Sequence, residues 1–127
     1  MGINNRERMR QIINYDGLRY GNITPTDIDG LVEYKNKAYV IIEMKHGSKE
    51  VPKGQRIALE RIADDLSAQG KLVAVFVCEH DVDNTEKDIM AWRAVVRSCY
   101  FNGVWRNDGC RTLKQRLDAF VRFAENL

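Results

Sequence analysis

The hydrophobic and polar positions in the first half of this chain follow the period of a β-strand. Apolar and polar residues alternate over 28–34 and over 38–45, which predicts two strands. The polar residues between them, Lys35-Asn36-Lys37, are few enough to connect the strands as a tight hairpin. Residues 71–80 (KLVAVFVCEH) instead form a continuous apolar run, which is typical of a strand covered on both faces of its sheet.

Helical periodicity is found in three further segments, around 4–14, over 55–68 and after Thr112. The inward positions are Met9, Ile12 and Ile13 in the first, Leu59, Ile62, Ala63 and Leu66 in the second, and Leu113, Leu117, Phe120, Val121 and Ala124 in the third. We expect Gly70 to end the second helix and Thr112 to cap the third.

The segment between residue 80 and the C-terminal helix is predicted to contain a helical turn and a second hairpin. Thr85, three positions before Asp88, resembles a capping box that would open the helical turn. The stretch 93–107 (RAVVRSCYFNGVWRN) is expected to turn at Asn102-Gly103, a favoured pair for a tight hairpin. The predicted order is α-β-β-α-β-β-β-α, an α/β (α+β) fold in which helices flank a mixed sheet. We expect one domain over 1–127, because 44% apolar residues suffice for a core.

Charge and cysteine content narrow the class of protein further. Lys and Arg number 20 against 18 Asp and Glu, so the net charge of +2 does not by itself indicate a nucleic-acid-binding protein. The three cysteines are irregularly spaced, and Cys78 and Cys99 fall in apolar strands as expected of core residues. Since no leader or membrane-spanning pattern is visible, we expect a reduced, cytoplasmic protein. Only His46 and His80 could supply imidazole ligands, which argues against zinc.

The first hairpin carries a candidate metal site. Asp29 and Glu43 are equally distant from Asn36, so a turn centred there places the two carboxylates opposite each other on one face. Such a pair repels unless it is protonated or bridged by a cation, and oxygen ligands favour Mg²⁺ or Mn²⁺. Lys45 follows on the same face, where an ammonium group could orient or help deprotonate an attacking water and stabilise charge on phosphorus.

These residues give the chain a family resemblance. The sequence PTDIDG, with Asp29 followed fourteen residues later by the start of EMK, resembles the PD-(D/E)xK superfamily of restriction-endonuclease-like nucleases. The resemblance covers about residues 4–78 and implies an αβββαβ core and metal-dependent cleavage of DNA. It also implies that Asp29 and Glu43 bind the metal and that Lys45 serves the nucleophilic water.

Three more positions enter through the same resemblance. Several relatives carry a glutamine at the start of the following helix, and here Gln55 lies ten residues after Lys45 on the inward helical face. Gln55 could contact the water on the metal or a phosphate, or could be satisfied by backbone groups. Leu59 stands where exonuclease-like relatives have a tyrosine. Glu7 and Asp27 are further candidate acids for the metal, Glu7 from the first helix and Asp27 from the segment after Pro25.

Candidate contacts to the DNA backbone are basic residues around this site. They are Arg6, Arg8, Arg10, Lys49, Lys53, Arg56 and Arg61. The aromatic residues Trp92, Tyr100 and Trp105 could stack on bases or fill the core.

The small size of the domain predicts a nickase or a structure-selective, junction-resolving endonuclease of the kind that phages and other mobile elements encode. A homodimer would be needed to cut both strands. Two other functions stay open, a catalytically inert nuclease-fold protein that binds or inhibits, and a small-molecule phosphodiesterase. The plainest alternative is an exposed hairpin whose Glu43 and Lys45 form an ordinary surface ion pair.

Overall fold

A computed structural model describes residues 11–127 as one mixed five-stranded sheet with helices on both faces. The elements are β1 (Gly30–Tyr34), β2 (Ala38–His46), α1 (Lys53–Ala68), β3 (Leu72–His80), a short 3₁₀ helix (Ala91–Arg93), β4 (Val95–Phe101), β5 (Val104–Asn107) and α2 (Leu113–Glu125). The strands are adjacent in the order β1-β2-β3-β4-β5, and β2 and β3 are parallel while the other pairs are antiparallel. The predicted mixed sheet, C-terminal hairpin and C-terminal helix are confirmed.

The core lies in two layers, one on each face of the sheet. On the α1 face the buried residues are Ile41, Leu59, Ala63, Val73, Val75 and Tyr100. On the α2 face they are Val40, Ala74, Phe76, Cys78, Ala94, Val96, Cys99 and Leu113. β3 contributes to both layers, which explains its continuous apolar sequence. The prediction that Ile62 faces the core is wrong, because its side chain is 38% exposed.

The cysteines behave as the sequence predicts. Cys78 and Cys99 are buried and Cys110 is exposed, and all three are free thiols. Burial raises the pKa of Cys78 to about 12. Because the thiolate is the reactive form, this thiol is chemically inert at neutral pH and acts as a small core residue.

The first hairpin has the register that its turn predicts. Lys35 and Asn36 both adopt positive φ, 49° and 58°, and the N–H of Lys37 donates to the carbonyl of Tyr34 at 2.8 Å. The pairing runs from Tyr34 opposite Ala38 to Gly30 opposite Ile42. Extended by one residue, this register places Asp29 across from Glu43.

The segment after β3 differs from its prediction. Thr85 and Asp88 open no helix, because the side chain of Asn84 closes a turn there instead. Its Oδ1 accepts from the N–H of Glu86 at 3.0 Å, and its carbonyl accepts from Lys87 at 3.0 Å. An asparagine that bonds its own backbone in this way competes with helix formation. A short helix occurs later, at Ala91–Arg93.

The capping prediction for α2 is confirmed. Thr112 Oγ1 accepts from the N–H of Gln115, and the Gln115 side chain accepts from the N–H of Thr112. This reciprocal pair fixes the start of α2 over the sheet.

The beginning of the described chain also differs from its prediction. Residues 11–14 form no helix, and the rest of the helix expected over 4–14 lies outside the described residues. Two strands precede α1 in residues 11–127, whereas the resemblance implies three. None of the helices in this part of the chain combines the length and hydrophobicity needed to cross a lipid bilayer.

Candidate active site

The centre of the candidate site is Glu43, whose side chain lies on the α1 face of β2. Glu43 is 2% exposed, and among the described residues no other Asp or Glu is buried. Its Oε1 accepts a hydrogen bond from Nε2 of Gln55 at 2.8 Å, and Nζ of Lys45 lies 3.6 Å from the same oxygen. Its Oε2 is buried with no hydrogen-bond partner in residues 11–127. A buried carboxylate oxygen without a donor is costly, which suggests that a proton or a cation belongs beside it.

Asp29 lies beside Glu43, immediately before β1. Its Oδ2 accepts from the backbone N–H of Met44 at 2.7 Å, which ties the acid to the strand opposite. Asp29 is exposed, whereas Glu43 is buried, so the pair spans from solvent to the protein interior. The surface-pair alternative therefore does not describe Glu43, since an ordinary surface ion pair keeps both groups in water.

The electrostatic state of Glu43 reflects this position. Burial, and then the charge of Asp29 and a side-chain hydrogen bond between Asp29 and protonated Glu43, raise the pKa of Glu43 from 4.5 to about 7, although the Gln55 hydrogen bond and the charge of Lys45 oppose the rise. The Lys45 ammonium group therefore does not hold the pKa of Glu43 at its usual value. A divalent cation would supply the missing positive charge.

An open cavity of about 720 Å³ gives access to these groups. Its walls come from the segment before β1, from β2 and from the first three turns of α1. The lining residues are Asn22, Ile23, Thr24, Pro25, Thr26, Asp27, Asp29, Glu43, Met44, Lys45, Pro52, Gly54, Gln55, Ile57, Ala58 and Arg61. The cavity is large enough to admit water together with a phosphate group from solvent.

Gln55 joins two walls of this cavity. Its Nε2 donates both to Glu43 Oε1 and to the backbone carbonyl of Asp27 at 3.1 Å. The contact with Asp27 agrees with the interpretation that backbone groups satisfy Gln55, and the contact with Glu43 was not predicted. A contact with water on the metal or with a phosphate stays a prediction. Gln55 holds Glu43 in one orientation and fixes the segment that leads into Asp29.

The further candidate acids are placed differently. Asp27 lines the cavity, and its contact with Gln55 is made by its backbone carbonyl. Glu7 lies outside the described residues. Within residues 11–127 no group of three or more His, Cys, Asp or Glu side chains is arranged to hold a metal ion. The carboxylates available in this part of the chain are therefore a pair, Asp29 and Glu43.

Of the basic residues expected to contact DNA, Arg61 alone among the described ones lines the cavity. Nε of Arg56 lies 3.7 Å from Oε2 of Glu60, and Arg56, Lys49 and Lys53 all lie outside the cavity lining. Arg6, Arg8 and Arg10 fall outside the described residues. Sequence reasoning also missed the start of α1 at Lys53, where Pro52 and Gly54 line the cavity. The available signal was Pro52, because proline is favoured at the start of a helix, where its missing N–H would have no intrahelical partner.

The aromatic candidates divide between core and surface. Tyr100 is 6% exposed and donates its hydroxyl proton to Asp64 at 2.7 Å, which raises its pKa to about 12. Trp105 packs against the same core layer as Tyr100. Trp92 is 58% exposed and lines none of the candidate cavity. Stacking on a base is thus open to Trp92 alone of these three residues.

The site therefore combines Asp29, Glu43, Lys45 and Gln55, which come from a hairpin and from the helix that follows it. These are the positions on which the resemblance to PD-(D/E)xK nucleases rests, and the resemblance stays a prediction. Comparisons of the chain with family models, with curated proteins and with solved structures found no match.

Proposed function

We propose that this protein is a magnesium-dependent DNA endonuclease that hydrolyses phosphodiester bonds, acting as a nickase or on branched or otherwise structured DNA. The observation that carries the proposal is Oε2 of Glu43, which is buried without a partner beside Asp29 and Lys45. A structural acid in a core is normally satisfied by donors. Gln55 positions the Glu43 carboxylate through Oε1, and Oε2 accepts no hydrogen bond, so the carboxylate is suited to bind a cation.

Asp29 and Glu43 would hold the metal, either Mg²⁺ or Mn²⁺. Two carboxylates fit these hard ions, which are commonly bound by one or two acids and complete their coordination with water and substrate phosphate. When bound, the metal would neutralise phosphate charge and make a water molecule more acidic.

The chain's own groups account for the remaining requirements. The side chain of Lys45 is 19% exposed, so its ammonium group is partly desolvated at the cavity wall. From there it can orient a water for attack on phosphorus and stabilise the negative charge that develops on the phosphate oxygens. Gln55 maintains the Glu43 carboxylate in position through the attack. The water oxygen forms the new bond to phosphorus as the bond to the leaving sugar oxygen breaks; the water loses one proton to solvent, and the sugar oxygen takes one up from solvent.

Two further features belong to the proposal. A single site cuts one strand, so cleavage of both strands would require a second copy of the chain. The three free thiols, two of them buried, suit the reducing cytoplasm.

Nicking of supercoiled plasmid tests the proposed function. Wild type is expected to convert supercoiled to open-circular DNA in magnesium and not in EDTA. Asp29→Ala and Lys45→Ala are each expected to slow the conversion by roughly 10²-fold or more, because one removes a metal ligand and the other the ammonium group. Asp65→Ala, which removes an exposed acid from α1 outside the cavity, is the control and should nick like wild type.

Two results would contradict the endonuclease. Plasmid binding without cleavage in every sample would indicate an inert nuclease-fold binding protein. Hydrolysis of a nucleotide ester by a wild-type protein that leaves plasmid intact would indicate a small-molecule phosphodiesterase.

A further inference from the structure

The N-terminus of α1 carries backbone donors that the chain leaves uncapped. Pro52 is the N-cap residue, no side chain accepts a capping hydrogen bond, and the first turn contains no acid. The first bond of the helix runs from the N–H of Arg56 to the carbonyl of Pro52 at 2.9 Å. The N–H groups of Lys53, Gly54 and Gln55 therefore precede the intrahelical ladder, at the positive end of the helix dipole.

This helix end opens into the same cavity as the acids. Pro52, Gly54 and Gln55 line the cavity together with Glu43, whose buried Oε2 has no partner. The cavity thus has two electrostatic poles, carboxylates on the hairpin side and uncapped amides on the helix side. A phosphate bridged to the acids by a cation would place its negative oxygens toward the amides.

Arg61 extends the positive pole along the helix. Gly54, Ala58 and Arg61 are spaced four and three residues apart, so they share one side of α1, and all three line the cavity. Arg61 is exposed and forms no ion pair with any of residues 11–127. Its guanidinium group is therefore available to a ligand, unlike that of Arg56.

We infer that the N-terminus of α1 and Arg61 together bind a backbone phosphate of the nucleic acid next to Asp29 and Glu43. The inference rests on the proposed function and deepens it, because it assigns the substrate as a phosphodiester polymer that lies along α1. The helix amides contact the phosphate beside the metal, and Arg61, two turns further on, contacts the strand as it leaves the cavity.

Gly54 allows the charge at this helix end to be changed alone. A Cβ atom at Gly54 would meet nothing within 4 Å, so a small side chain can be added without a clash. Gly54→Asp places a carboxylate among the amides, whereas Gly54→Asn adds a side chain of the same shape without charge. An acid in the first turn is favourable for the helix itself. The urea midpoint of Gly54→Asp should therefore be no lower than that of Gly54→Asn.

DNA affinity in Ca²⁺ is the measurement, because this oxygen-binding cation can bridge the acids and the phosphate while the Mg²⁺ or Mn²⁺ of the proposed cleavage is absent. The probe is a short fluorescein-labelled duplex followed by fluorescence anisotropy. Gly54→Asp is expected to bind roughly tenfold more weakly than Gly54→Asn, the upper range for one charge at a helix N-terminus. Gln69→Glu adds the same charge at the other end of α1 and should leave affinity nearly unchanged. Arg61→Gln should reduce the dependence of log Kd on log salt concentration by about one.

The outcomes separate this inference from the proposed function. Equal affinities for the Asp and Asn variants, or an equal loss from Gln69→Glu, would overturn the phosphate site. If Gly54→Asp alone weakens binding but wild type never nicks plasmid in magnesium, the phosphate site stands and the endonuclease fails.

Discussion

Glu43→Gln is expected to stabilise the metal-free protein by about 3 kcal/mol at about pH 8 and to leave its stability unchanged near pH 4.5. The reason is that burial and the charge of Asp29 raise the pKa of Glu43 from 4.5 to about 7 in the folded state. Between these values the folded chain binds more protons than the unfolded chain. The free energy of unfolding therefore falls as the pH rises through this range, and the full cost is present above it.

Glutamine imitates the protonated acid and removes this dependence on pH. Its side-chain oxygen can still accept from Gln55, so the contact at Oε1 is preserved. Urea unfolding in EDTA at both pH values measures the difference, with Asp65→Asn as an exposed acid on α1 for comparison. The variant should lose plasmid nicking even though it is more stable. If its stability advantage is the same at both pH values, the ionisation of Glu43 is not responsible for it.

Lys45→Met is expected to lower the rate of nicking by roughly 10²- to 10³-fold, the range found when one group that stabilises transition-state charge is removed. Methionine keeps much of the length of the side chain and removes the ammonium group that lies 3.6 Å from Glu43 Oε1. Loss of this charge should also raise the pKa of Glu43, since Lys45 at present lowers it. Single-turnover nicking of supercoiled plasmid at saturating protein measures the rate of cleavage without a contribution from DNA affinity.

Lys45→Arg separates the two roles of this residue. Arginine keeps a positive charge, but its guanidinium group does not lose a proton at any accessible pH and so cannot act as a base. Partial activity in Lys45→Arg would mean that charge stabilisation dominates, and activity as low as that of Lys45→Met would indicate a requirement for the compact amine. Lys49→Met, which lies outside the cavity lining, should cleave at the wild-type rate. A loss in Lys49→Met as large as that in Lys45→Met would show that the effect comes from general positive charge.

The sequence was sufficient where local rules determine the structure. The length of Lys35-Asn36-Lys37 and the alternation on either side fix the hairpin register, and with it the meeting of Asp29 and Glu43. The capping box at Thr112 depends on residues three positions apart and is equally local. The inward position of Gln55 follows from helical periodicity, although its two partners do not.

The sequence was insufficient where features beyond the local pattern determine the position of a side chain. Ile62 fits the apolar period of α1, but its side chain is 38% exposed in the folded chain. At Asn84 a side chain that bonds its own backbone displaces the helical turn predicted from Thr85. The sequence does not distinguish Arg56 from Arg61, since both are arginines on one helix. In the structure Arg56 lies near Glu60, whereas Arg61 lines the cavity.

Manganese binding tests the central claim most directly, because that claim is that Asp29 and Glu43 share one divalent-ion site. Electron paramagnetic resonance measures the concentration of unbound Mn²⁺. A titration should show one Mn²⁺-binding site in wild type and in Asp65→Asn. Asp29→Asn and Glu43→Gln should each weaken binding by more than the roughly tenfold to hundredfold cost of losing an outer-shell partner. Absence of binding by wild type, or wild-type affinity in both variants, would contradict the account.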